Sequence, residues 1–291
     1  MKYLFVILVC FPFVVHAEEL PRTTMKKGLK AYESGEYTNA VHLLEKTVLA
    51  FPYLGNYNLG NAYYRQKKYE KAAQVFSEVL RSPDLSLQAK AYYNRANALF
   101  IQATLSTRPA EMNRAIEFAF QAEDAYEKSI LLNPNDFEAK QNFERARALR
   151  IELIFKKGKW FFDQAAGQLK QFKAKKAKQY YLEAKQEFSQ LLANIDPKNS
   201  SAKSYLKNTN QQLEMLQKAV EETQLNLDKS LLFIKDFQYS LASRILGQLT
   251  VQQRYAFDLE PDLKKKYEET IKKNRDVLKI IKDLSNKNQI R

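Results

Sequence analysis

Residues 57–64 read Tyr57-Asn58-Leu59-Gly60-Asn61-Ala62-Tyr63-Tyr64, and Lys68-Tyr69-Glu70-Lys71-Ala72 and Phe76 follow. On two consecutive helices, Gly60 and Ala72 are small enough to let the backbones approach, while Tyr63, Tyr69 and Phe76 fill the space around that contact. The same pattern stands one step upstream, as Gly28 and then Gly35-Glu36-Tyr37-Thr38-Asn39-Ala40. Gly28 to Gly60, Tyr37 to Tyr69 and Ala40 to Ala72 are each 32 residues apart. A fixed period in the low thirties means one helix pair per repeat, stacked so that neighbours bury what one pair cannot. The chain of 291 residues holds 7 glycines and 8 prolines, too few turn residues for a many-stranded sheet fold. With 45% hydrophobic and 27% charged residues it can bury a core.

This periodicity resembles the tetratricopeptide repeat (TPR) family, in which two antiparallel helices, A and B, form each repeat. The expected fold is an all-α, TPR-type superhelical solenoid with a divergent C-terminal helical half. Pro52, Pro83, Pro134 and Pro197 each follow an apolar helical stretch and mark repeat ends. A third A helix begins at Ala91-Tyr92-Tyr93-Asn94-Arg95-Ala96-Asn97-Ala98-Leu99-Phe100, but its B helix, carrying Ala122, Tyr126 and Ser129, comes about 14 residues late. Thr107 near a cap and Pro109 in a first turn predict a lengthened helix over 109–132 that projects beyond the solenoid, with Met112, Ile116 and Phe120 packed on a neighbouring loop. A further A-type helix runs from Asn135 to Lys157. The repeats therefore occupy 22–157. A divergent region follows over 158–291, with a degenerate pair around Asp236-Phe237. Its last helix, 261–284, caps the array and carries Leu263, Tyr267, Ile271, Leu278 and Ile281 on one face.

Compartment is read from the N-terminus. Met1-Lys2, an apolar run from Tyr3 to Val15, and Val15-His16-Ala17 before Glu18-Glu19 have the layout of a secretory signal peptide, 1–17, cleaved near Ala17. The expected location is the periplasm. Cleavage would remove Cys10, the sole cysteine, and with it disulfides, thiolate metal sites and cysteine nucleophiles. The mature chain then keeps one histidine, His42, on a helix side expected to face solvent, so a His-based zinc triad is excluded. No glycine-rich phosphate loop occurs. The reading is a protein that is not an enzyme and takes no metal or cofactor.

Net charge is +14, unevenly spread: residues 1–150 hold 20 basic and 16 acidic side chains, residues 151–291 hold 27 and 17. Such a basic half suits nucleic acid or an anionic surface, and export argues against nucleic acid. The densest stretch is Lys156, Lys157 and Lys159, next to Trp160-Phe161-Phe162, then Lys170, Lys173, Lys175, Lys176 and Lys178. A solvated helix face and an anionic-lipid or acidic-partner contact both fit it.

TPR membership implies a concave groove lined by the A helices. Carried over, the groove positions are Tyr57, Asn61, Tyr64 and Arg65, then Lys90, Tyr93, Asn97, Phe100 and Ile101, then Arg145. Asparagines there would bond a peptide backbone, aromatics would supply apolar contact and cations would supply charge, although Asn61 and Asn97 equally fit the repeat consensus alone. Tyr57 stands where a lysine serves in clamp-type repeats, so no full carboxylate clamp is read. Finer still, the export signal, the run at 57–64, its echo at 92–100 and Asn133-Pro134-Asn135-Asp136 through Glu144 resemble the TPR proteins of bacterial aerotolerance (Bat) operons. That resemblance implies an envelope scaffold working beside membrane-anchored von Willebrand A-domain proteins, linked to oxygen or stress tolerance. The alternative is a peripheral membrane or envelope-tethering protein that uses the basic 156–178 stretch.

Overall fold

The computed structural model describes residues 20–106, 108–247 and 250–288. The signal-peptide reading over 1–17, with Cys10, and the capping role of Thr107 lie outside the described residues. All regular elements among the described residues are helical: α1 (Pro21–Glu33), α2 (Tyr37–Glu45), α3 (Pro52–Arg65), α4 (Tyr69–Val79), α5 (Leu85–Leu105), α6 (Met112–Leu132), α7 (Phe137–Lys170), α8 (Ala174–Asn194), α9 (Ser200–Lys235), α10 (Tyr239–Leu246), α11 (Val251–Leu259) and α12 (Pro261–Asn288), with one 3₁₀ turn at Pro109–Glu111. The described residues form an all-α fold of successive helix pairs. Two compact units divide it, the first from Met1–Leu105 with Glu117–Arg147, the second from Ser106–Ile116 with Ala148–Arg291.

One turn design closes four of the pairs. After α1, α3, α7 and α9 a single residue takes the left-handed conformation: Gly35 (φ 79°), Lys67 (60°), Phe172 (58°) and Phe237 (60°). In each case its amide donates to the carbonyl three residues back, and the next amide donates to the carbonyl five back. Lys67 N to Tyr64 O (2.9 Å) and Lys68 N to Tyr63 O (3.0 Å) are matched by Phe237 N to Ile234 O (3.2 Å) and Gln238 N to Phe233 O (2.8 Å). These bonds satisfy the carbonyls a helix end leaves open, and they reverse the chain. Five residues beyond each left-handed position stands an alanine, Ala40, Ala72, Ala177 or Ala242, each fully buried where the second helix meets the first.

In the first unit, Gly60 faces the Phe76 ring so closely that a Cβ there would lie 2.6 Å from Cε1. Leu44, Leu59, Ala62, Tyr63, Phe76, Leu99 and Tyr126 form its core. Tyr63 donates to Glu45 Oε1 at 2.5 Å, and burial, followed by that carboxylate, pushes its phenol up to about 12. His42 is exposed, as expected.

The second unit departs from the sequence reading. Residues 157 and 158 do not end a helix: α7 continues unbroken to Lys170. Gly158 lies inside it for a packing reason, since a Cβ there would sit 2.8 Å from Phe188 Cε1, the same ring-on-glycine contact as Gly60 with Phe76. The helix expected over 109–132 opens with the 3₁₀ turn and becomes α-helical at Met112. Ile116 does not project on a free arm or rest on a loop. It packs with Ile151, Ile154, Phe155 and Leu192 of α7 and α8, because a bare apolar turn gains more from joining that core. Phe120 stays exposed.

Near the C-terminus, Thr250 and Gln253 form a reciprocal capping box on α11, and Gln253 also donates to the Tyr267 hydroxyl at 2.8 Å. On α12 the buried face runs Leu263, Tyr267, Thr270, Asn274. Ile281, expected on that face, is exposed.

Candidate functional site

In the first unit, α3, α5 and the opening turns of α7 present one continuous face with two adjoining hollows. The larger, about 580 Å³, is lined by Tyr57 of α3, by Ser86, Ala89, Lys90, Tyr93 and Asn94 of α5, and by Leu132, Asn133 and Asp136 ahead of α7. The smaller, about 240 Å³, is lined by Tyr64, Asn97, Phe100, Ile101, Tyr126, Asn142 and Arg145. The expected residues Tyr57, Lys90 and Tyr93 thus meet in the first hollow, and Tyr64, Asn97, Phe100, Ile101 and Arg145 in the second.

Two expected residues have other employment. Asn61 lies in neither hollow, and its Oδ1 accepts from Asn94 Nδ2 at 2.9 Å. The Arg65 guanidinium sits over the Tyr37 ring at 4.8 Å and near Tyr32 at 5.7 Å, held by cation–π attraction away from both hollows. Asn97 lines the second hollow, yet its Oδ1 already accepts from the Tyr126 hydroxyl at 2.5 Å. The asparagines therefore brace helix against helix before any ligand arrives.

That bracing is a ladder. Asn94 Nδ2 donates to the Tyr57 hydroxyl, and one repeat on Asn142 Nδ2 donates to the Tyr93 hydroxyl, both at 3.2 Å. Tyr93 in turn donates to Glu138 Oε2 at 3.2 Å, and Arg145 to Asn142 Oδ1 at 3.2 Å. Burial holds the phenols of Tyr64, Tyr93 and Tyr126 above their ordinary range, so they stay protonated and remain donors. Sequence reasoning missed Asn94, Asn142, Tyr126 and Glu138. The available signal was register: Asn94 follows Tyr93 as Asn58 follows Tyr57.

Charge in the first hollow is mixed, with Lys90 against Asp136, and Arg145 is the cation of the second. Among the lining residues, each hollow holds one cation.

The basic stretch is not one surface. Lys157 is a half-buried ion-pair partner of Glu187 (2.5 Å), while Lys156 pairs with Glu152 (2.5 Å) and Lys159 with Asp163 (2.6 Å). Its aromatics are packed: Trp160 against Phe161 and Tyr180, Phe162 against Tyr181 and Tyr205. Lys170, Lys173, Lys175, Lys176 and Lys178 are exposed around the α7–α8 turn. Phe172 at that turn stacks with Tyr255 and Arg254.

Among the described residues, no group of three or more His, Cys, Asp or Glu is placed to hold a metal, and no helix is long and apolar enough to cross a membrane.

Comparison with curated proteins gives no match. Among solved structures, the chain is similar to the first TPR of Spaghetti (RPAP3) bound to the HSP90 peptide SRMEEVD, with 26% identity over 43% of this chain and 89% of that one and a TM-score of 0.34. The second TPR domain of human RPAP3, in complex with the HSP70 peptide SGPTIEEVD, is 20% identical over 44% and 98%, with a TM-score of 0.35. A TPR repeats protein from Bacteroides fragilis is 16% identical over 86% and 97%, with a TM-score of 0.32. The tetratricopeptide repeat family model matches residues 25–86 and 57–107, which accordingly carry tetratricopeptide repeats.

Proposed function

We propose that this protein is an interaction scaffold that binds an extended segment of a partner protein across the two hollows of its first unit. The observation that carries the reading is the pair of adjoining hollows on a face held rigid by the Tyr–Asn ladder. Tyr93 in one hollow and Phe100 in the other are seven residues apart on α5, about 10 Å along a helix. Three residues of chain in the polyproline II conformation, one full turn, cover about 9 Å and bring side chains i and i+3 to the same face. Those two side chains of a bound segment would thus enter the two hollows, one beside Lys90 and Asp136, the other against Phe100 and Ile101 with Arg145 at its rim. A pre-braced face loses little entropy on binding, which favours affinity from few contacts.

The finer reading places the scaffold in the bacterial envelope, exported by its N-terminal segment, with membrane-anchored von Willebrand A-domain proteins of an oxygen- or stress-tolerance system as partners. What supports it is the signal-like layout of 1–17 and the repeat motifs.

Selection from a displayed library of linear peptides tests the site directly. Peptides enriched on the parent protein should bind the double variant Lys90→Glu, Arg145→Glu at least tenfold more weakly, at unchanged helical circular dichroism. Equal affinity for both proteins would remove the hollows from the binding reaction.

A further inference from the structure

The far end of the second unit carries apolar surface that the helix pairs do not use. Tyr267 donates to Ile245 O near the end of α10 (3.4 Å), and Asn274 donates to Tyr239 O at its start (3.0 Å) and to Ser243 Oγ one turn further on (2.7 Å). α12 therefore runs antiparallel to α10 and reaches the α9–α10 turn at Asn274. It continues to Asn288, about 21 Å further at 1.5 Å per residue. On that overhang Ile280, Ile281 and Leu284 are 57%, 45% and 56% exposed, and Phe237, at the tip of the turn, is 79% exposed. Val277, Ile281 and Leu284 prolong the stripe that begins with Leu263, Tyr267, Thr270 and Asn274. Arg275, Lys279 and Lys282 occupy the opposite side of the overhang, with Lys272 just before it, while Lys273 lines a hollow beside Asp228 and Glu269 of α9 and α12. Against Arg275, Lys279 and Lys282 stand Asp276 and Asp283.

We infer that this overhang is an interfacial helix that docks the protein on an anionic lipid surface, with Ile280, Ile281, Leu284 and Phe237 entering the headgroup boundary and the lysines lying along the phosphates. Charge complementarity selects this occupant. A lipid surface offers apolar depth and a negative plane together, which is what a helix with an apolar stripe and a cationic opposite face matches. A second copy packed stripe to stripe would cover the apolar side chains and leave the cationic side without a counter-charge. It would also engage only a handful of side chains, against the roughly 20–30 per partner of a stable interface. The site shares no residue with the exposed lysines at the α7–α8 turn, whose neighbouring aromatics are already packed, or with the lining of the hollows in the first unit.

The test places a polarity-sensitive dye on the overhang of the full chain. With Cys10→Ser removing the native thiol, Ile281→Cys carries the dye on the apolar face and, in a separate protein, Lys279→Cys carries it on the cationic face. Vesicles of phosphatidylcholine containing phosphatidylglycerol should shift the emission at 281 to the blue and leave that at 279 nearly unchanged. Pure phosphatidylcholine, or high salt, should reduce the shift several-fold. In co-sedimentation, Ile280→Asp with Leu284→Asp should lower the vesicle-bound fraction at least fivefold at unchanged melting temperature, because both sites are exposed. The inference is overturned if the dye at 281 shows no shift, if both positions shift alike, or if the aspartate variant binds as the parent does. It is equally overturned if the blue shift appears without lipid and grows with protein concentration, which would assign the stripe to a second copy, or appears only with an acidic protein. None of these outcomes touches peptide binding in the first unit, so the two readings fail separately.

Discussion

Two glycines are read alike by composition and differ by what their missing Cβ would meet. At Gly60 the added atom would lie 2.6 Å from the buried Phe76 ring, whereas at Gly167, within α7, nothing stands within 4 Å. Gly60→Leu should therefore overpack the α3–α4 contact and cost about 3 kcal/mol or more. Gly167→Ala should stabilise by roughly 0.5–1 kcal/mol, since a helical glycine gives up more backbone freedom on folding than alanine does. Chemical denaturation of both variants checks the pair, and a Gly60→Leu protein as stable as the parent would mean the repeat register is wrong. The value of Gly60 was legible in the sequence from its 32-residue partner Gly28. That of Gly158 was not, because Phe188 is 30 residues away and joins it only when α7 and α8 pack. Asn61 and Asn97 show the same limit at the site. Their positions were readable, but their bonds to Asn94 and Tyr126 exist only once neighbouring helices are in place.

At the scale of elements, the recurring turn accounts for most of the architecture and carries a cost that differs by copy. A left-handed residue costs roughly 1–2 kcal/mol with a side chain and little as glycine. Gly35 meets the demand cheaply, while Lys67, Phe172 and Phe237 meet it against their own preference. Lys67 is exposed, so Lys67→Gly should raise stability by about 0.5–1 kcal/mol, read as a higher melting temperature. Phe172→Gly should gain less, because it also forfeits the contacts with Tyr255 and Arg254. These turns also explain why the C-terminal half looked degenerate. Glycine, the residue that announces the turn, is replaced there by phenylalanine. The surviving mark is the alanine five residues on, at Ala177 and Ala242, and alanine is too common in helices to stand out.

For the molecule as a whole, net charge and the hollows serve different steps of association. Exposed lysines raise encounter rate and salt sensitivity, while hollows lined by rigid aromatics fix what stays bound. Reversing Lys173, Lys175, Lys176 and Lys178 to glutamate should flatten the salt dependence of peptide capture and weaken it only modestly. Lys90→Glu with Arg145→Glu should instead weaken capture at least tenfold, which separates the two; loss of capture only in the lysine variant would transfer recognition to the α7–α8 turn. By itself the sequence determined the all-α class, the helix-pair period and the line of residues along the A helices. Those depend on contacts within one repeat or between adjacent repeats, which a short period records. Tertiary structure alone decided that α7 runs through Gly158, that Lys157 is half-buried against Glu187, that Ile116 joins a second core, and that the end of α12 is left uncovered. Each depends on side chains from helices far apart in the chain, and burial of such groups follows from which helices pack together, a quantity that local hydrophobic pattern does not encode.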